Sequence, residues 1–244
     1  MKLVGKHIVV TGGTKGLGRA LVERFAQEGA YVASCARSAD DLRRSTLELG
    51  VFGPRVLFSS CDIADADQVG RFAQEVISEF GTIDVLVNNA SQLGPRLELA
   101  SWTKPTWDRI IDVNVNGLFG VTMAFLPTMI MRRSGSIINV SSSVGRKGRR
   151  LWGAYGVSKF ALEGFTQTLA DEVVHQGIRV NSVDPGAMDT DMRHAAYPDE
   201  DRSKLRKPSE VTEVFVFLAS DESRAVTGQS FDAQEYIKTR KEKP

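Results

Sequence analysis

Short, nearly continuous apolar runs alternate with longer stretches of helical spacing along almost the whole chain, and few folds accommodate that alternation. Residues 7–11, 31–35, 55–60, 84–88, 135–141 and 178–184 read as strands covered on both faces. Between them, residues 17–28, 40–49, 65–80, 106–131 and 155–175 carry apolar side chains at helical intervals. Regular strand–helix alternation predicts an α/β fold, a doubly wound parallel sheet with helices on both faces. The 244 residues suffice for one such domain, over 1–232, followed by a polar, lysine-rich and loosely held tail over 233–244. Pro127 is expected to kink or end the long helix in which it falls.

Charge excludes some functions. A formal net charge of +1 gives no global attraction to nucleic acid or to an anionic membrane. The N-terminus lacks the features of a secretory signal, and no apolar segment is read as approaching the ~20 residues that span a bilayer. A cytoplasmic protein is expected. Cys35 and Cys61 share no metal-ligand spacing, and His7, His175 and His194 show none either, so no metal site is expected.

The first strand runs into a glycine-rich turn and a helix start, Thr11-Gly12-Gly13-Thr14-Lys15-Gly16-Leu17-Gly18-Arg19. Glycines allow the backbone to turn tightly and to approach a pyrophosphate, while the helix start offers free N–H groups. The candidate cradle is Gly12, Thr14, Lys15, Gly16, Leu17 and Gly18. An NAD site usually carries an acid at the end of the second strand. Here Ala36 stands at that place and Arg37 and Ser38 follow, while Asp40 and Asp41 come too late unless the strand ends later. Arg37, Lys15 and the Ser38 hydroxyl suit an adenosine 2′-phosphate, so NADP(H) is expected over NAD(H). The alternative is a pair of solvated cations.

Tyr155 and Lys159 stand four residues apart, which on a helix puts both on one face. An ammonium beside a phenol favours the phenolate, so the lysine is expected to lower the tyrosine pKa and ready it for proton exchange with a substrate oxygen. Such a pair alone is weak, since a packed tyrosine beside a solvated lysine gives the same pattern.

Together, Thr11-Gly12-x-x-x-Gly16-x-Gly18, Asp62-Ile63, Asn88-Asn89-Ala90, Asn114, Ser142, Tyr155-x-x-x-Lys159 and Pro185-Gly186 occur in the order and approximate spacing of the short-chain dehydrogenases/reductases. The chain resembles that family over residues 5–232, in its single-domain branch. The resemblance implies that Tyr155 is the catalytic acid or base and that Lys159 holds the nicotinamide ribose and lowers the Tyr155 pKa. It implies that Ser142, thirteen positions before Tyr155, binds the substrate oxygen in preference to its neighbours Ser141 and Ser143. Asn114, rather than Asn116, would sit at a distortion in the long helix and hold a water linking Lys159 to solvent. Asn89 and Ala90 would flank the adenosine half, and Asp62 beside Ile63 would meet the adenine edge. Pro185, Gly186 and Thr190 would cradle the nicotinamide end and the pyrophosphate.

The implied activity is NADPH-dependent reduction of a ketone or aldehyde. An alcohol dehydrogenase running oxidatively and a dinucleotide-binding sensor without turnover are the alternatives. The implied partners are a small-molecule carbonyl or alcohol substrate and further copies of the chain, as a dimer or tetramer, with no nucleic acid and no membrane. Two departures stand out: Ser91 follows Asn89-Ala90 where the family often has glycine, and the glycine pair usual after the last strand is missing at 231–235.

Substrate specificity is expected from segments 92–99, 144–152 and 188–207, the last a lid. The second holds Arg146, Lys147, Arg149 and Arg150. An anionic substrate, a nucleic-acid patch and a solvated or subunit-contacting loop all remain open for it.

Overall fold

Residues 8–11 are buried on both sides, as a central parallel strand requires. They belong to β1 (His7–Thr11), which pairs with β2 (Tyr31–Ala36) on one side and β4 (Val85–Asn88) on the other. The computed structural model describes residues 1–241. Among these, β3 (Val56–Ser60), β5 (Gly135–Val140), β6 (Ile178–Asp184) and β7 (Ser230–Asp232) complete a seven-stranded sheet of order β3-β2-β1-β4-β5-β6-β7, with every pairing parallel. The order reverses between β1 and β4. That switch point opens a crevice at the carboxyl ends of the strands, where ligands bind in sheets of this kind.

Helices cover both faces. On one side α1 (Gly16–Gln27) and α8 (Glu213–Ala219) bury Leu21, Phe25 and Phe215. On the other, α3 (Ala66–Phe80), α5 (Leu118–Arg132) and α6 (Gly153–Val173) bury Phe72, Phe125 and Leu169. The shorter helices are α2 (Ala39–Glu48), α4 (Lys104–Ile111), α7 (Asp191–Ala196) and α9 (Ala233–Lys241).

Three expectations are corrected. Pro127 does not end its helix: α5 runs on to Arg132, and the irregularity lies earlier, in a single π-helical stretch at Asp112–Gly117. Second, one helical run, Lys104–Arg132, is long and apolar enough by length and composition to cross a membrane, with a mean hydropathy of 1.4 over its most apolar stretch. Fifty-six per cent of that stretch is buried, and Val121, Phe125 and Met129 sit fully within the core, so its apolarity serves packing against the sheet. Third, the segment after residue 232 is helical as far as Lys241. Ala233 is fully buried, Tyr236 packs on Phe217 with ring centroids 5.6 Å apart, and Arg240 pairs with Glu213 at 3.1 Å. Residues 242–244 of the expected tail lie outside the described residues.

Candidate active site

The crevice holds one large cleft of about 890 Å³. Gly12, Thr14, Lys15, Gly16, Leu17, Gly18, Arg37, Ser38, Asp62, Ile63, Asn89, Ala90, Ser142, Tyr155, Lys159, Pro185, Gly186 and Thr190 all line it. Of the candidate site residues, only Asn114 stands behind its wall.

At the glycine end, backbone φ angles of +71° at Gly12 and +52° at Gly16 explain why glycine stands there. A Cβ on Gly18 would meet the Gly12 carbonyl oxygen at 2.1 Å. Asn89 holds this turn down: its Nδ2 donates to the Thr11 and Gly12 carbonyls at 2.8 and 3.2 Å. Thr11 Oγ1 in turn accepts from the backbone N–H groups of Asn89 and Ala90, both at 3.0 Å. The Asn89 side chain is therefore an anchor for the turn as well as a wall of the cleft. Lys15 caps α1 without a side-chain hydrogen bond, and the first turn holds no acidic residue. The free N–H groups and the positive end of the helix dipole therefore face the cleft, as a pyrophosphate requires. The residues present fit a dinucleotide.

The two cations expected at the ribose are each engaged. Lys15 Nζ pairs with Asp41 at 2.9 Å, and Arg37 lies 3.9 Å from Asp62, whose main partner is Arg109 at 2.7 Å. With its amide oriented as its neighbours demand, Gln92 also accepts from Arg37 at 2.7 and 3.0 Å. Ser38 caps α2, accepting from the Asp41 N–H at 3.2 Å. The Arg109 guanidinium and the Ala64 N–H help hold the Asp62 carboxyl below its usual range against the opposing effect of burial. Asp41, set aside on the sequence as too late to matter, reaches the cleft by following Ser38 into the first turn of α2.

At the other end, Ser142 follows β5, and Tyr155 and Lys159 rise from α6. Tyr155 and Lys159 are almost fully buried. Lys159 Nζ donates to the Val140 carbonyl at 2.7 Å and lies 5.5 Å from the Tyr155 ring centroid. Burial pushes the Tyr155 phenol up to about 12, against a hydrogen bond with Ser142 that lowers it. Burial likewise pushes Lys159 down to about 8, opposed by the carboxylates of Asp184 and Glu163. This corrects the expectation of a tyrosine pKa lowered by its lysine. The ammonium is directed at a main-chain carbonyl; loss of water dominates for both groups, and the Asp184 carboxylate adds to it at Tyr155 while opposing it at Lys159.

Asn114 lies in the π-helical stretch, as the resemblance implied, but its carboxamide is bonded to protein. Its Nδ2 donates to the Gln92 carbonyl at 2.9 Å and to Ser158 Oγ at 3.0 Å, and its Oδ1 accepts from the Gln92 N–H at 2.8 Å. It thus ties the segment after β4 to the helix that carries Tyr155.

Beyond Tyr155 stands a wall whose members the sequence does not bring together, although it offers Trp152 as a candidate pocket residue. The Trp152 ring lies 5.5 Å from Tyr155 and 6.2 Å from Tyr197. The Arg96 guanidinium stacks on both Trp152 (4.7 Å) and Tyr197 (4.5 Å) and donates to the Ala196 carbonyl at 2.9 Å. The three residues come from the three segments named for specificity, and nothing local in any of them signals that they meet. The basic segment is also partly neutralised: Arg146 pairs with Asp184 and Arg150 with Glu98, while Arg149 lines the cleft. Two of its four cations thus face carboxylates rather than a common surface.

With this geometry in view, comparison decides the family. The profile of the short chain dehydrogenases matches residues 6–201. The chain belongs to the short-chain dehydrogenase family. It is 40% identical over 241 residues to the 3-oxoacyl-[acyl-carrier-protein] reductase FabG of Thermotoga maritima, covering 94% of this chain and 96% of that one. It is 36% identical over 230 residues to the oxidoreductase YciK of Escherichia coli K12, covering 93% and 91%. The crystal structure of a short chain dehydrogenase from Escherichia coli CFT073, complexed with NADPH, superposes with a TM-score of 0.91 at 36% identity, covering 95% of this chain and 98% of that one. The protein is an oxidoreductase of this family, with its Rossmann-like single-domain fold.

Proposed function

We propose that the protein is an NADPH-dependent reductase of a ketone or aldehyde, with Tyr155 as general acid. The observation that carries this reading is the corner where Ser142, Tyr155 and Lys159 line one cleft with a phenol that burial keeps protonated at neutral pH. A phenol that burial keeps protonated at neutral pH carries the proton that reduction must deliver to the substrate oxygen. NADPH, when bound, supplies the hydride that a carbonyl carbon accepts. The chain's own groups act on the oxygen: the Ser142 hydroxyl and the Tyr155 O–H are set to hydrogen-bond it, and Tyr155 gives up its proton as negative charge develops. Lys159, fixed by Val140, holds the ribose side of the site. The aromatic wall of Trp152 and Tyr197 shapes the space for the substrate's carbon skeleton.

Arg37, Lys15 and Ser38 support NADP(H) as the dinucleotide, as does the NADPH complex of the Escherichia coli CFT073 relative. A 2′-phosphate offers both cations a more highly charged partner than the single carboxylates of Asp41 and Asp62 do. Arg37→Ala is therefore expected to weaken NADPH about 10- to 100-fold, the loss of a charge-assisted hydrogen bond worth ~1.5–3 kcal/mol, and to leave NADH nearly unchanged. Titrating both dinucleotides by fluorescence checks this, and equal weakening of the two would remove Arg37 from the phosphate site.

The activity is tested by following NADPH absorbance with ethyl acetoacetate, 2,3-butanedione and 4-nitrobenzaldehyde. Consumption that depends on Tyr155 supports the reading. Tight NADPH binding with no turnover across a wider carbonyl panel would reject it in favour of a sensor.

A further inference from the structure

Asp184 stands directly before Pro185-Gly186 at the end of β6, with its side chain only 6% exposed. A carboxylate so buried needs partners. Its Oδ1 accepts from the Gly186 N–H at 2.9 Å, and its Oδ2 accepts from Arg146 Nη2 at 3.1 Å. Arg146 comes from the segment that begins at Ser142, and its Nη1 donates onward to Ser230 Oγ of β7 at 2.8 Å. Ser230 in turn donates to Glu163 of α6 at 3.4 Å, a buried carboxylate that also accepts from Ser141 and from Ser182, the latter at 2.7 Å. The stretch between Ser142 and Arg146 has no slack: a Cβ on Gly145 would meet the Lys159 carbonyl oxygen at 2.7 Å. Arg146 is thus the one basic-segment cation turned inward to a carboxylate beside the catalytic corner, joining the ends of β6 and β7 to the segment after β5.

We propose that Arg146 and Asp184 are positioning residues for the carbonyl reduction proposed above: their ion pair pins the Ser142 segment to the end of β6 and limits the carboxylate charge felt by Lys159 and Tyr155. The proposal rests on that functional reading. The charged groups around the corner are Asp184 from β6, Glu163 and Lys159 from α6, Arg146 from the segment after β5 and Asp232 from β7. Asp184 favours the ammonium of Lys159 and disfavours the phenolate of Tyr155. Burial, with a further rise from Asp232, lifts the Asp184 pKa above its ordinary value, and the Gly186 N–H and Arg146 work against that rise. Arg146 therefore favours the charged form of Asp184 while countering its field.

The test is a titration of Lys159 by its 13Cε shift in protein labelled with 13C-lysine, the signal assigned by its loss in Lys159→Met. Asp184→Asn, which removes charge at constant shape, is expected to lower the Lys159 midpoint by about one pH unit. Arg146→Gln is expected to raise it, because the carboxylate is then uncompensated wherever it is ionised. The double variant should follow Asp184→Asn, and Arg146→Lys should return the midpoint towards the wild-type value. A structural role alone would change stability without this pattern of opposite shifts. A midpoint unmoved in Asp184→Asn, or an Arg146→Gln shift that persists when Asp184 is absent, overturns the proposal. If Arg146→Gln fails to fold, Asp184→Asn still decides through the sign of its shift. The titration needs no turnover. An inactive wild type with shifting midpoints would end the reductase reading alone, and an active wild type with fixed midpoints would end the pair's role alone.

Discussion

Tyr155→Phe is expected to lower kcat by at least ~10², with NADPH still bound at close to the wild-type affinity. The phenol sits almost fully buried between Ser142 and the Trp152 ring, so phenylalanine keeps the packing and removes only the O–H. What is lost is the proton donor to the substrate oxygen and one of two hydrogen bonds to its developing charge. The Ser142 hydroxyl remains, which leaves a residual rate. Because Tyr155 is protonated up to about 12, the wild-type reduction should not lose its acid as pH rises through neutrality. An alkaline limb near pH 8 would report loss of the Lys159 ammonium, which burial pushes down to about 8, rather than loss of the Tyr155 proton. Single-turnover NADPH oxidation across pH, beside the Phe variant, measures both points. A near-wild-type rate in Tyr155→Phe would overturn the assignment of the acid.

The fold was legible because its signal is local. Strands buried on both faces leave uninterrupted apolar runs, and β1 and β6 begin and end where those runs do. β7 was not legible: three residues at the sheet edge, half-exposed or exposed, leave no run to read. α9 was missed for a similar reason, since a short polar helix docked through Ala233 and Tyr236 differs little in composition from a tail. The placement of Tyr155 and Lys159 on one helix and the form of the glycine turn were legible because a helix fixes the spacing of the pair and the turn demands its residues. The Tyr155 pKa was not, because desolvation depends on how deep the fold buries the pair. The Arg96–Trp152–Tyr197 stack and the Arg146–Asp184 pair escaped for a third reason: each joins segments distant in sequence, and their residue types carry no pairing code.

Gly18→Ala is the second large effect expected, and it separates a glycine required by close approach from one that is merely tolerated. The added methyl would lie 2.1 Å from the Gly12 carbonyl oxygen and 2.5 Å from Asn89 Nδ2, both of which hold the turn between β1 and α1. Neither can swing aside as a flexible side chain would. The first is backbone, and the second is fixed by its bonds to Thr11 and Gly12. Relief must come from lifting α1 off the turn, at about 1–3 kcal/mol by analogy with overpacked cores. That movement displaces the N–H groups that face the cleft, so NADPH affinity should fall by more than ~10². By contrast, a Cβ on Gly164, in α6, meets nothing within 4 Å. Gly164→Ala should therefore stabilise the helix by about 0.5–1 kcal/mol and raise Tm by ~1–4 °C. Thermal melts with and without NADPH, on both variants, read the two effects at once. A Gly18→Ala protein with wild-type Tm and wild-type NADPH affinity would mean that the turn yields more easily than its two anchors allow.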